Sequence, residues 1–204
     1  MKTIYQEKAA EYLAFTERWG FKPEILHRIG AFLILCGLFE TKVEVAVWSL
    51  RDEDEANRRH STDGSSIGEM IDALGKGSAK LNGGVRDLLN KTAATARDLG
   101  GYRRALIHGH VIPSHEMPSL FTESAVARRG PEAEKREAFV TENLLDMAID
   151  SAGILCRVVL ATPTVCHSPT DIKRLLALEC DVSRAERQAH ELRRLAAMVN
   201  DQPH

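Results

Sequence analysis

No stretch of this chain is long and uncharged enough to span a bilayer, and its amino terminus, Met1-Lys2-Thr3-Ile4-Tyr5-Gln6-Glu7, has no apolar signal core. The expectation is a cytoplasmic protein with no membrane partner. There is no CxxC pair either. The four cysteines, Cys36, Cys156, Cys166 and Cys180, are scattered, and Cys36 and Cys156 fall among apolar residues. Without that spacing they read as reduced thiols packing as small hydrophobes. A basic excess is also missing, since 27 Lys and Arg stand against 29 Asp and Glu for a net charge of −2. A global nucleic-acid footprint is thereby excluded, and any RNA contact must be local. The glycine-rich Gly75-Lys76-Gly77-Ser78-Ala79-Lys80 lacks the full spacing of a P-loop and follows no evident strand, so it is not read as a phosphate cradle.

What the chain does contain is helical periodicity. At 204 residues it fits one domain, 1–204, able to bury a real core. A first helix is expected over Tyr5 to Trp19, with Tyr5, Ala9, Tyr12, Leu13 and Phe15 largely on one side and Gly20 as its stop. Pro23 opens a second helix where its missing donor costs nothing. Its apolar pattern runs through Phe32, Cys36, Phe39, Val43 and Val47 to about Arg51, which makes it the core's central rod. Arg51 to Ser66 is charged and aperiodic and reads as a solvated loop. A short helix from Ile67 to about Gly75 follows, capped by Ser65 or Ser66 with Glu69 near the capping-box position.

From Val85 the period resumes toward Leu106, interrupted by Gly100-Gly101. Each glycine there costs roughly 1 kcal/mol against alanine in a helix interior. The pair implies a kink, close packing of another backbone, or two helices with a break. Beyond His110, the segment 111–140 carries several helix breakers and alternates weakly over Ser119 to Ala127 and Lys135 to Thr141. It reads as a two-stranded ribbon turning near Arg129-Gly130-Pro131. Thr141 caps a helix apolar on nearly all sides, which Pro163 ends. The remainder, 163–204, is expected to be a helical hairpin, Pro169 to Cys180 and then Ser183 to Val199. The second arm opens on the Ser183-Arg184-Ala185-Glu186 capping pattern and is exposed, docking on a partner subunit. The fold class is therefore mainly α, a bundle of about six to seven helices with a small β-hairpin-like insertion after the helix that ends at His108.

The chemistry sits in Gly100 to His110, reading Gly-Gly-Tyr-Arg-Arg-Ala-Leu-Ile-His-Gly-His. With about 100° per residue, Arg104 and His108 share a helix face, whereas Arg103 lies about 140° from His108. Gly109 suits a left-handed helix end, leaving His108 in the last turn, where the negative end of the helix dipole favours its protonated form. Arg103 and His108, four residues between them, resemble the Arg, four to six residues, His signature of the HEPN family, and the resemblance covers roughly Phe21 to Ala161. One position departs from it. After the arginine, catalytic members usually carry Asn, Asp or His, and here the residue is Arg104.

The resemblance implies an all-helical, metal-independent endoribonuclease that dimerises so that two motifs face each other, or a relative that has lost catalysis. Cleaving RNA without metal needs a base for the 2′-hydroxyl proton, an acid for the leaving 5′-oxygen and cations for the charge on the phosphorane. His108 is the candidate acid or base and Arg103 the candidate phosphate clamp, which makes these two the catalytic pair. Tyr102, Arg104 and His110 are candidate substrate contacts. His108, His110, His115 and Glu116 match no established metal framework, so no metal and no cofactor are expected. The expected partners are a second copy of the chain, RNA, and an antitoxin or other regulatory protein, as in toxin–antitoxin and anti-phage defence systems. The alternative is a catalytically inactive HEPN-like protein serving as a binding or dimerisation module.

Overall fold

The computed structural model describes residues 3–18, 21–53, 61–111, 120–123, 137–165 and 168–200. The chain is mainly α. In order it forms α1 (Ile4–Arg18), α2 (Pro23–Leu50), α3 (Ile67–Lys76), α4 (Gly83–His108), β1 (Gly109–Val111), β2 (Leu120–Glu123), β3 (Glu137–Phe139), α5 (Glu142–Val165), α6 (Pro169–Leu176) and α7 (Glu179–Asn200). No helix among the described residues is long and apolar enough to cross a membrane.

The bundle is built on the pairing of α2 with α5, and α7 lies against both α4 and α5. Phe32, Val43 and Val47 of α2, Leu88 and Leu89 of α4, and Leu145, Ile154 and Leu155 of α5 are wholly buried where these helices meet. Arg28 ties the start of α2 to α5 through Asp146 at 2.8 Å and Glu142 at 3.2 Å. The loop after α2 is held back against it rather than merely solvated. Trp48 Nε1 donates to Thr62 Oγ1 at 2.6 Å, and that buried hydroxyl donates to Glu44 at 2.9 Å. Residues 54–60, the charged centre of the expected loop, lie outside the described residues.

α3 begins as the sequence requires. Ser66 is the N-cap, its side chain accepts the Glu69 N–H, and the Glu69 carboxylate accepts the Ser66 N–H at 2.7 Å. Those hydrogen bonds hold the Glu69 carboxyl below the usual carboxylate range. Ser66→Ala is expected to lower stability by about 1 kcal/mol, read as a lower urea midpoint at unchanged slope. The helix stops at Gly77, whose φ of 61° lies in the region that favours glycine. Gly75 permits close approach to α4, since a Cβ there would sit 2.9 Å from the Ala93 Cβ.

Several expected boundaries change. α4 starts at Gly83, where the Asn82 carboxamide oxygen accepts the Val85 N–H at 2.9 Å. It then runs through Gly100-Gly101 without a break, because Leu99, Tyr102, Ala105 and Leu106 keep one side of the helix buried across the pair. Pro163 does not end α5, which continues to Val165 with the proline inside it. Ser183 is not a cap. α7 begins at Glu179, after the turn at Ala177 and Leu178, and places Ser183 inside the helix. The earlier start adds Val182 to the buried stripe of Ala185, Ala189 and Leu192.

α7 packs on α4 and α5 of its own chain. Arg193 reaches Asp98 of α4 at 3.0 Å, and Arg184 reaches Asp150 of α5 at 2.9 Å. After α4, β1, β2 and β3 form an antiparallel sheet in that order, with Gly109 opposite Glu123 and Leu120 opposite Phe139. The turn expected near Arg129-Gly130-Pro131 lies outside the described residues.

Candidate functional site

Arg103 and His108 stand on the last two turns of α4, one continuous helix, so the spacing between their backbones is fixed. The side of α4 carrying Arg103 is turned toward α2. Its guanidinium grips the Glu40 carboxylate at both ends, Nη1 to Oε1 at 2.6 Å and Nη2 to Oε2 at 3.3 Å. Each side chain is 32% exposed, so the pair lies at the rim of the core, partly shielded from water. Planar guanidinium and carboxylate forks match in this two-point geometry, which lysine could not reproduce. The Arg103 Nε is buried and finds no hydrogen-bond partner among the described residues. Cys36, one turn before Glu40 on α2, lies close enough to feel both charges. Burial pushes its thiol up to about 12, with Arg103 opposing and Glu40 and Cys156 reinforcing, so it stays neutral.

Tyr102 belongs to the core instead of to a substrate surface. It is 4% exposed, its ring meets Phe32 edge-on at 5.8 Å and 66°, and its hydroxyl donates to the Phe139 carbonyl of β3 at 2.6 Å. Burial raises its pKa well above that of a free phenol. The residue therefore pins the sheet to α4 just before the arginines. Tyr102→Phe is expected to cost about 1 kcal/mol, with faster amide exchange in β3 as the accompanying signature.

Arg104 is exposed, and no hydrogen bond joins its side chain to another described residue. Gly100 and the 43%-exposed Ile107 lie on the same outer side, and a Cβ on Gly100 or Gly101 would meet nothing within 4 Å. Among the described residues no second backbone packs on the glycine pair, and the far end of α4 leaves Gly100, Arg104 and Ile107 exposed beside the Arg103–Glu40 pair. His108 is the last residue of the helix, and the chain passes at once into β1, where His110 stands opposite Thr122. The side chains of His108 and His110 lie outside the described residues. Among the described residues no three His, Cys, Asp or Glu side chains gather closely enough to hold a metal ion.

Glu40 is the residue that motif reading alone passes over. Its signal is a carboxylate inside the most apolar helix of the chain, at the edge of the stripe formed by Cys36, Phe39 and Val43. The arrangement can orient one guanidinium rigidly beside a helix end that carries a histidine. Compared with known protein families, with curated proteins and with solved structures, the chain matches none.

Proposed function

We propose that this chain is a HEPN-like, metal-independent endoribonuclease that works as a homodimer, of the kind used as a toxin or in anti-phage defence. RNA is its substrate, and an antitoxin or other regulatory protein is its partner. The observation that carries the reading is the two-point hold of Glu40 on Arg103. A guanidinium fixed in advance loses little freedom when it meets a phosphate, and the remaining N–H donors are directed by the fork that Glu40 fixes. Five residues on, along the same rigid helix, His108 supplies an imidazole able to titrate near neutrality. Two copies related by a two-fold axis supply two histidines, one as base toward the 2′-hydroxyl and one as acid toward the leaving 5′-oxygen.

One feature favours the second reading, a catalytically inactive HEPN-like module for binding or dimerisation. Glu40 neutralises the charge that a phosphate would use, and a satisfied Arg103 is also what a purely structural ion pair would show. Purified protein incubated with transfer RNA and messenger RNA in excess chelator separates the two. The ribonuclease reading expects cleavage leaving cyclic phosphate ends, and expects Glu40→Gln to change its rate at least tenfold by releasing Arg103. Intact RNA with both proteins would overturn the ribonuclease reading.

A further inference from the structure

We infer that α1 is an exchanged arm, which docks in a dimer onto the outer face of α2 of a second copy. No residue of α1 is buried, and Tyr5 is 83% exposed and Tyr12 69%. An isolated helix of 15 residues is marginal in water, so a full-length amphipathic α1 needs a surface to lie on. Among the described residues its own chain buries no part of it. The junction is anchored by buried Phe21, whose N–H bonds to the Thr16 carbonyl at 3.2 Å, and α1 leaves the bundle from there.

The matching surface is the outer face of α2. That helix is apolar on both sides, and one side is spent on the core through Phe32, Cys36, Phe39 and Val43. On the opposite side Ile34 is 73% exposed, flanked by Gly30 and Gly37, where an added Cβ would meet nothing within 4 Å. A helix that is hydrophobic all round is ordinarily covered all round.

The two faces are complementary in size as well as in polarity. On α1 the sequence is large, small, large at Tyr5, Ala9 and Tyr12; on α2 it is small, large, small at Gly30, Ile34 and Gly37. The spacings are the same, four residues and then three, so each pair of end positions lies about 10 Å apart along its helix. Two tyrosine rings seat over two glycines while Ile34 fits against Ala9. Facing large with small is how packed layers interdigitate. Two such arms with their seats bury on the order of 1,600 Å², the size of a standard stable interface. The inference goes beyond the proposed activity, since it rests on two copies meeting and not on catalysis.

The test uses the full chain with Cys166 and Cys180 replaced by serine. Ala9→Cys and Ile34→Cys proteins are prepared separately, mixed and oxidised, and the wild type is sized by light scattering. The expected results are a wild-type dimer at micromolar concentration, a disulfide joining one Ala9→Cys chain to one Ile34→Cys chain, and a shift to monomer in both Tyr12→Glu and Ile34→Glu. Tyr12 is exposed, so its variant leaves the bundle intact even if Ile34→Glu perturbs α2. A monomeric wild type overturns the inference. So does an Ile34→Cys chain that cross-links only to itself, which would put α2 against α2. Sedimentation of the wild type with phosphatidylglycerol vesicles, abolished by Tyr12→Glu, would likewise give α1 to a lipid surface. A dimer with cross-linked arms that leaves RNA intact keeps this inference and removes the catalytic one.

Discussion

His108→Ala is expected to reduce chelator-resistant RNA cleavage by about a hundredfold to ten-thousandfold, the usual cost of losing one general acid–base group, while the melting midpoint barely moves. The backbone of α4 ends at His108, so the substitution removes an imidazole from a helix terminus. Arg103→Ala is a less clean probe, because it leaves the Glu40 carboxylate partly buried with no partner and should lower the melting midpoint as well. Arg103→Lys resolves this. It keeps the charge but loses the two-point fork, so a clamp role predicts a large fall in rate with a small fall in stability. His110→Ala is the control, mild in a metal-free mechanism and severe if an ion were held near the motif. Cleavage that survives His108→Ala would end the ribonuclease assignment. If His108 instead satisfies helix-end carbonyls, the same variant should cost about 1 kcal/mol of stability with no cleavage to lose.

Phe32→Ala is expected to destabilise the protein by about 3–5 kcal/mol, a large part of the roughly 5–15 kcal/mol that holds a domain folded. The ring is fully buried on the inner side of α2 and meets Tyr102 of α4 edge-on at 5.8 Å. Removing it leaves a cavity between the helix that carries Glu40 and the helix that carries Arg103, beside the Tyr102 hydroxyl that anchors β3. The measurement is urea unfolding followed by circular dichroism, with the loss appearing as a lower midpoint at unchanged slope. A change under 1 kcal/mol would mean that the α2–α4 contact relaxes freely and does not brace the site.

The elements that local chemistry specifies were legible in the sequence. Pro23 suits the first turn of a helix, where its missing N–H costs nothing, so the start of α2 follows from one residue. Ser66 and Glu69 carry both halves of the capping box within four residues, and the start of α3 follows in the same way. Arg103 and His108 could be placed together near the end of one helix from their spacing. Ser183 carried a similar local signal and misled, because the sequence does not say where the preceding turn falls. Tertiary packing of Val182 and Ala185 against neighbouring helices set the start of α7 at Glu179 instead.

What remained was decided by contacts between residues far apart in the chain. Gly100-Gly101 should weaken a helix, yet burial of Leu99, Tyr102 and Ala105 outweighs that local preference and carries α4 through to His108. Tyr102 stands beside the arginines in sequence, but the inward side of α4 takes it to Phe32 and Phe139. Glu40 and Arg103 are 63 residues apart, and only the packing of the bundle brings their forks together. Both α1 and α7 read as amphipathic helices. The charges of α7 find Asp98 and Asp150 within the chain, while the tyrosines of α1 stay exposed among the described residues. A pattern of apolar and charged residues determines that a helix has a face to bury, and the shape of the folded bundle decides whether the chain can cover that face itself.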